Sequence, residues 1–242
     1  SAVFSAGLRD MDAILGRDDR LVAKLADAAE KLDVTFAAVI GTPIPAVIGT
    51  DYRALERMLS KKTDLSVLTV NTDGMELYDK GEEKAYLALF EKFSDKNEES
   101  EDMNDKDRPR IGIIGMTPQD VSDLKAADKI RKVYADQGMC AICYGMGDGL
   151  DEVRNASLAA KNVVVSPAAL KAAQYLQKKF GTPYEIAYPL ASELVPEVNY
   201  QGKKILIVQQ QVIANAVRKE IEKRTGEKEA ITTATWFMRK EE

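Results

Sequence analysis

The sequence predicts an α/β fold: Rossmann-like parallel β-sheets flanked by helices, in at least two domains. Three observations carry that prediction. Short β-branched and apolar runs alternate with helix-length segments whose apolar residues recur every three or four positions. Each run stops at a cluster of Gly, Pro or small polar residues that offers an N-cap to the next helix. Between residues 95 and 108 the rhythm breaks at an acid-rich segment and then restarts. Parallel strands need helical crossovers, which cover both faces of a sheet and make its strands near-continuously apolar.

Residues 8–15 place Leu8, Met11, Ile14 and Leu15 on one stripe that stops at Gly16. Asp18 and Asp19 then cap a helix with Leu21, Val22, Leu25, Ala28, Ala29 and Leu32 on its core face. Strand 34–40 ends at Gly41 and a stiff loop around Pro43-Ile44-Pro45, and Thr50 or Asp51 caps a helix over 52–61 with Leu55, Met58 and Leu59 inward. Strand 66–70 runs into Asn71-Thr72-Asp73-Gly74, followed by a helix over 81–93 with Tyr86, Leu89, Phe90 and Phe93 as its apolar side.

Beyond the acid-rich segment, strand 110–114 leads to Thr117, a good cap before Pro118, and to one helix carrying Val121, Leu124, Ala127, Ile130, Val133 and Tyr134. Strand 139–144 ends at Gly145-Met146-Gly147-Asp148-Gly149, 151–160 reads as helix, and 162–165 is a short buried strand. Ser166-Pro167 opens a helix over 168–180, stopped by Gly181 with Pro183 beyond. Strand 205–208, the polar Gln209-Gln210-Gln211, a helix with Val212, Ile213, Ala216, Val217 and Ile221, and a strand within 229–235 follow. The expected organisation is a Rossmann-like domain at 1–94, an acidic linker at 95–108, a second such domain at 109–199, and a βαβ segment at 200–242 that starts a third unit or returns to the first.

Composition excludes several classes. The chain has 242 residues, 45% hydrophobic and 30% charged, the profile of a globular protein with a sizeable core. The net charge of −5 is the excess of acids within 94–107, so no basic stripe is left to recruit nucleic acid. No apolar run approaches the ~20 residues of a membrane span. No signal peptide is recognisable and the chain begins at Ser1, so the expectation is a cytoplasmic protein excerpted from a longer one. With no histidine and two cysteines, the chain lacks the residues for the usual zinc sites, for Ser-His-Asp or Cys-His nucleophiles, and for a four-thiolate cluster. Cys140 and Cys143 have redox-motif spacing but fall in a strand, where residues three apart point to opposite faces, so they read as two small buried apolar thiols. Gly145-x-Gly147-x-Gly149 is not the dinucleotide fingerprint, because Leu150 stands where the third glycine is required.

Small polar residues gather after each strand. Thr42, Thr50, Asp51, Asn71, Thr72, Asp73 and Ser166 are the cleft candidates, with Thr117, Gln119, Asp148, Gln209 and Gln210 behind them. In parallel sheets these tips share the carboxyl edge, where ligands bind; each residue taken singly also reads as a helix cap.

The run Ile40-Gly41-Thr42-Pro43-Ile44-Pro45-Ala46-Val47-Ile48-Gly49-Thr50-Asp51, with Thr72-Asp73-Gly74-Met75-Glu76-Leu77-Tyr78-Asp79-Lys80-Gly81, resembles the nitrogenase component 1 family of molybdenum-iron proteins, cofactor scaffolds and dark protochlorophyllide reductase subunits. Asn162-Val163-Val164-Val165-Ser166, Phe180-Gly181-Thr182-Pro183-Tyr184 and Ala234-Thr235-Trp236-Phe237 resemble its later segments, so the chain looks like the central portion of a member. The resemblance implies Rossmann-like domains around a metallocluster cleft, a component-1-like sister subunit, and electrons from an ATP-dependent iron protein. It also places the family's bridging-cluster cysteine at Pro43 and its cofactor-anchoring cysteine at Ser166. Proline has no ligand atom and a serine hydroxyl substitutes poorly for thiolate on iron. The expected function is therefore an electron-accepting oxidoreductase subunit that does not reduce nitrogen, or else a non-catalytic cofactor-binding or scaffold module. No metal site is expected on this chain alone; an iron–sulfur cluster or other metallocofactor belongs to the full-length complex. Pro43 joins the cleft candidates on this ground.

Overall fold

The computed structural model describes residues 2–5, 18–95, 108–226 and 230–235. The expected helix at 8–15, most of the acidic segment and Trp236-Phe237-Met238 lie outside the described residues. The chain forms two compact units, Ser1–Leu77 and Tyr78–Glu242.

In the first unit, α1 (Asp18–Glu30), β1 (Phe36–Ile40), α2 (Pro43–Val47), α3 (Tyr52–Thr63) and β2 (Ser66–Val70) follow in order. β1 and β2 pair in parallel from Phe36↔Ser66 to Ile40↔Val70. Leu21 and Val22 of α1, Tyr52, Leu55 and Leu59 of α3 and Val67 of β2 form the core. The i, i+3, i+7 spacing of Tyr52, Leu55 and Leu59 defines the buried face of α3. Met58, expected inward, falls at the edge of that face and is 42% exposed. Leu32 lies beyond the end of α1 and is likewise exposed. The segment expected as a stiff loop is the helical turn α2: Thr42 is extended, Pro43 takes the first helical position, and the Ala46 amide donates to the Thr42 carbonyl at 3.3 Å. Proline suits that position because its φ is already helical and the first-turn N–H groups have no partner within the helix.

The second unit contains α4 (Tyr78–Phe93), β3 (Arg110–Ile114), α5 (Pro118–Val121), α6 (Ala126–Ala135), β4 (Cys140–Tyr144), α7 (Leu150–Arg154), β5 (Lys161–Val164), α8 (Leu170–Phe180), β6 (Tyr184–Ile186), β7 (Ile205–Val208), α9 (Gln211–Thr225) and β8 (Ile231–Ala234). Its main sheet has the order β4-β3-β5-β6 and a second pairs β7 with β8. All these pairs are parallel, the arrangement that alternating strands and helices require. Ile113, Val163 and Ile130 share one core with Val212, Ile213, Ile221 and Ile231, so α9 and β8 pack within this unit.

Three differences from expectation have local causes. The compact units divide before α4 rather than within 95–108, because Phe90 is fully buried and meets the Tyr144 ring edge-on, 5.1 Å between centroids. The single helix expected after Thr117 is broken: Ser122 is left-handed at φ 56°, its amide donates to the Pro118 carbonyl, and Leu124 at the break is 77% exposed. β6 was not expected; the left-handed Gly181 turns the chain so that the Pro183 carbonyl accepts from the Asn162 amide at 2.8 Å. Helix 151–160 is shorter, ending at Arg154 and followed by a 3-10 turn over 156–158. Among the described residues no helix is long and apolar enough to cross a membrane.

Candidate functional site

In the first unit the loops after β1 and β2 are bonded together. The Gly41 and Thr72 amides both donate to the Val70 carbonyl, at 2.9 and 3.0 Å, and the Thr72 hydroxyl donates to the Gly41 carbonyl at 2.8 Å. Gly41 is required because Thr72 backbone and the Tyr52 hydroxyl fill the space of a side chain. Pro43 Cγ lies 3.0 Å from where a Cβ of Gly74 would stand, so Thr42, Pro43, Thr72 and Asp73 form one small rim. Asn71 is exposed at the end of β2. Asp73 accepts from the Met75 amide at 2.8 Å and closes its own turn. Asp51, of the two caps considered, caps α3 by accepting from the Arg53 and Ala54 amides at 3.0 Å, while the Thr50 amide donates to the Pro45 carbonyl. Around this rim Val47 is 86% and Met75 83% exposed, with Ile44 and Ile48 also open.

In the second unit the strand ends are filled. Ser166 is fully buried and its hydroxyl accepts from the Ala168 amide at 3.3 Å, capping the 3-10 turn 167–169. Gly115, at φ 99°, lets that serine approach: a Cβ would lie 2.8 Å from Ser166 Cβ. The buried Gln210 donates to the Val165 carbonyl at 2.5 Å and accepts from the Val212 amide at 2.8 Å, which stitches the start of α9 to the end of β5. Asp148 accepts from the Cys143 amide and from Arg131 at 2.9 Å, so it braces the glycine loop 145–149. Cys143 sits in the core, where burial pushes its thiol up to about 12; Cys140 is half-buried.

A cavity of about 450 Å³, whose lining does not include Ser166, is bounded by Pro167, Ile186, Tyr188 and the α9 residues Gln211, Asn215 and Lys219. The last three stand four apart and share one stripe of the helix. The site therefore has an apolar floor and, from α9, four polar side chains, with Glu220 beside the stripe of Gln211, Asn215 and Lys219.

One polar cluster escaped the sequence reading. Asp79, Glu83 and Asp120 are buried. The Tyr78 hydroxyl donates to Asp120 at 3.1 Å, and Glu83 pairs with Lys171 at 2.7 Å and with Lys80 at 3.8 Å. Glu82 reaches both the Thr117 hydroxyl and the Asp120 carboxyl; burial first, and then the Asp120 charge, push its carboxyl up to about 7. The signal was present: residues 79, 82, 83, 86, 90 and 93 fall on one helical stripe, so acids occupy positions that face the core.

The two places that the resemblance gives to cluster cysteines do not fit an iron–sulfur group. Pro43 offers no donor atom, and the Ser166 hydroxyl is committed to a backbone amide. Among the described residues no group of three or more Cys, Asp or Glu side chains is arranged to hold a metal ion.

Comparison with known proteins bears on this arrangement. The solved structure described as "Nitrogenase Cp1 at pH 5" superposes with a TM-score of 0.72 at 17% identity, covering 98% of this chain and 54% of that one. "Nitrogenase Cp1 at pH 6.5" superposes at 0.67 and 13% identity, covering 95% of this chain and 60% of that one. At such identities the likeness concerns the fold, and the chain spans little more than half the length of these structures. A search of curated proteins found no match. The family model described as nitrogenase component 1 type oxidoreductase matches residues 1–191, most of the chain. The chain belongs to the nitrogenase component 1 type oxidoreductase family.

Proposed function

We propose that this chain is the central portion of a divergent component 1-type redox subunit, located in the cytoplasm. It accepts electrons from an ATP-dependent iron protein, works beside a component-1-like sister subunit, and takes its cluster ligands from segments outside these residues or from the partner. Nitrogen reduction is not part of the proposal. The observation that supports it is the buried Ser166: at the place the resemblance gives to a cofactor-anchoring thiolate stands a hydroxyl that caps the 167–169 turn. The exposed Val47 and Met75 beside Thr42, Pro43, Thr72 and Asp73 support a protein-covered face there. Anaerobic reconstitution with iron and sulfide, followed by an iron count and a visible spectrum, tests the reading. The isolated chain is expected to retain far less than stoichiometric iron; a stoichiometric cluster on it overturns the reading.

A second reading, a non-catalytic cofactor-binding or scaffold module, is favoured by the cavity itself, whose Gln211, Asn215 and Lys219 supply binding groups. Single-turnover oxidation of a reduced iron protein separates the two. Electron transfer to the complex containing this chain supports the redox subunit, and its absence supports the scaffold.

A further inference from the structure

Helix α4 meets the loop after β3 through carboxyl groups. Glu82 and Asp120 lie within hydrogen-bonding reach of each other, and Glu82 Oε2 and Asp120 Oδ2 are each buried without a hydrogen-bond donor. Two ionised carboxylates have no proton with which to bond, and a buried acceptor left empty is costly. One proton between them answers both needs.

Among the described residues no Lys or Arg pairs with Glu82 or Asp120. On α4 itself the near groups are Tyr78, which donates to Asp120, the buried Asp79, and Tyr86, whose hydroxyl donates to the Tyr144 carbonyl at 3.3 Å. Lys80 of α4 and Lys171 of α8 are drawn to Glu83. From α7, Arg154 pairs with Asp151 at 2.7 Å and Glu152 pairs with Arg110. Thr117 is the group on the β3 side that favours the ionised form of Glu82.

We propose that Glu82 and Asp120 share a single proton in mildly acidic solution, and that losing it as the pH rises weakens the seam between α4 and the 117–120 turn. Deprotonation of Glu82 adds a negative charge to a buried space that already holds the Asp79 and Asp120 carboxyls. The sign follows from the direction of the shift. Glu82 has a raised carboxyl, about 7 against an ordinary 4.5, so its contribution to stability is complete below about 4.5 and is lost as pH rises through about 7.

Two measurements on the full 242-residue chain test this. In carbon-13 NMR of the Glu-labelled protein, one side-chain carboxyl should titrate near pH 7 and vanish in Glu82→Gln. If every glutamate carboxyl titrates below about pH 5.5, the proposal is overturned. In urea, the midpoint should fall by about 0.5 M between pH 6 and pH 8.5, and this fall should shrink by at least half in Glu82→Gln, whose amide donates permanently to Asp120. A wild-type midpoint that does not change with pH, or a variant with an undiminished fall, overturns it as well.

Discussion

The two units end their strands by the same grammar, strand then small-residue turn then helix, but they finish the rim differently. In the first unit Thr72 and Gly41 tie the loops by a partly buried hydrogen bond, and apolar residues such as Val47 are left in the open. In the second unit Ser166, Gln210 and Asp148 spend their polar atoms on backbone: Ser166 on its own turn, Asp148 on the strand before its loop, and Gln210 on the Val165 carbonyl after β5. The contrast shows that polar residues at strand ends need not line a cleft. Where a neighbouring strand or helix leaves its own backbone unsatisfied, they are consumed by it; where no such demand exists, the rim stays open to a partner or ligand.

Reaction with a thiol reagent breaks the comparison most sharply. The raised, buried Cys143 should react at pH 8 at least about 1000-fold more slowly than a free thiol, while Cys140 reacts measurably faster. Equal rates for the two would mean that Cys143 is not held in the core of the second unit. Glycine substitutions compare the rims next. Gly115→Ala meets both a left-handed backbone and Ser166 and should lose about 3 kcal/mol in urea denaturation. Gly49→Ala, at φ 70° with nothing within 4 Å, should lose only about 1 kcal/mol. Similar losses would remove the distinction between packed and open turns. Asp51→Ala should cost about 1 kcal/mol through its cap, with Asp51→Ser recovering most of it; full recovery of stability by alanine would instead free Asp51 for a ligand role. The smallest change belongs to Asn162, buried with neither amide atom hydrogen-bonded. Asn162→Leu should lose no more than about 0.5 kcal/mol in the same assay, whereas a loss above about 2 kcal/mol would reveal a bonded partner.

The parallel architecture was legible because periodicity and turn residues agree with each other over most of the chain. Val67, Ile113 and Val163 read as buried strand residues in sequence and are buried. Legibility failed where one residue's conformation decides the outcome. Ser122 carries no left-handed signature, so the helix break after Val121 could not be seen. Pro43 and Pro45 looked like loop residues because proline both breaks helices and starts them. Asp79 and Glu82 were missed because a carboxylate is by default a solvent residue, and only the stripe they share with Phe90 shows where they point. Of the cleft candidates, Thr42, Pro43, Thr72 and Asp73 converge, Asp51 is a cap, and Ser166 belongs to the filled rim of the other unit.

Arg131 carries a mechanical consequence. Its guanidinium sits in the hollow that Gly147 leaves and grips both Asp148 and the Met146 carbonyl, while Asp128 anchors it from its own helix at 3.0 Å. The turn after β4 is thereby bolted to α6, a rod about 15 Å long. Whatever tugs on that turn must drag the rod with it, so a disturbance at residues 145–149 is felt as far along the chain as Ala126.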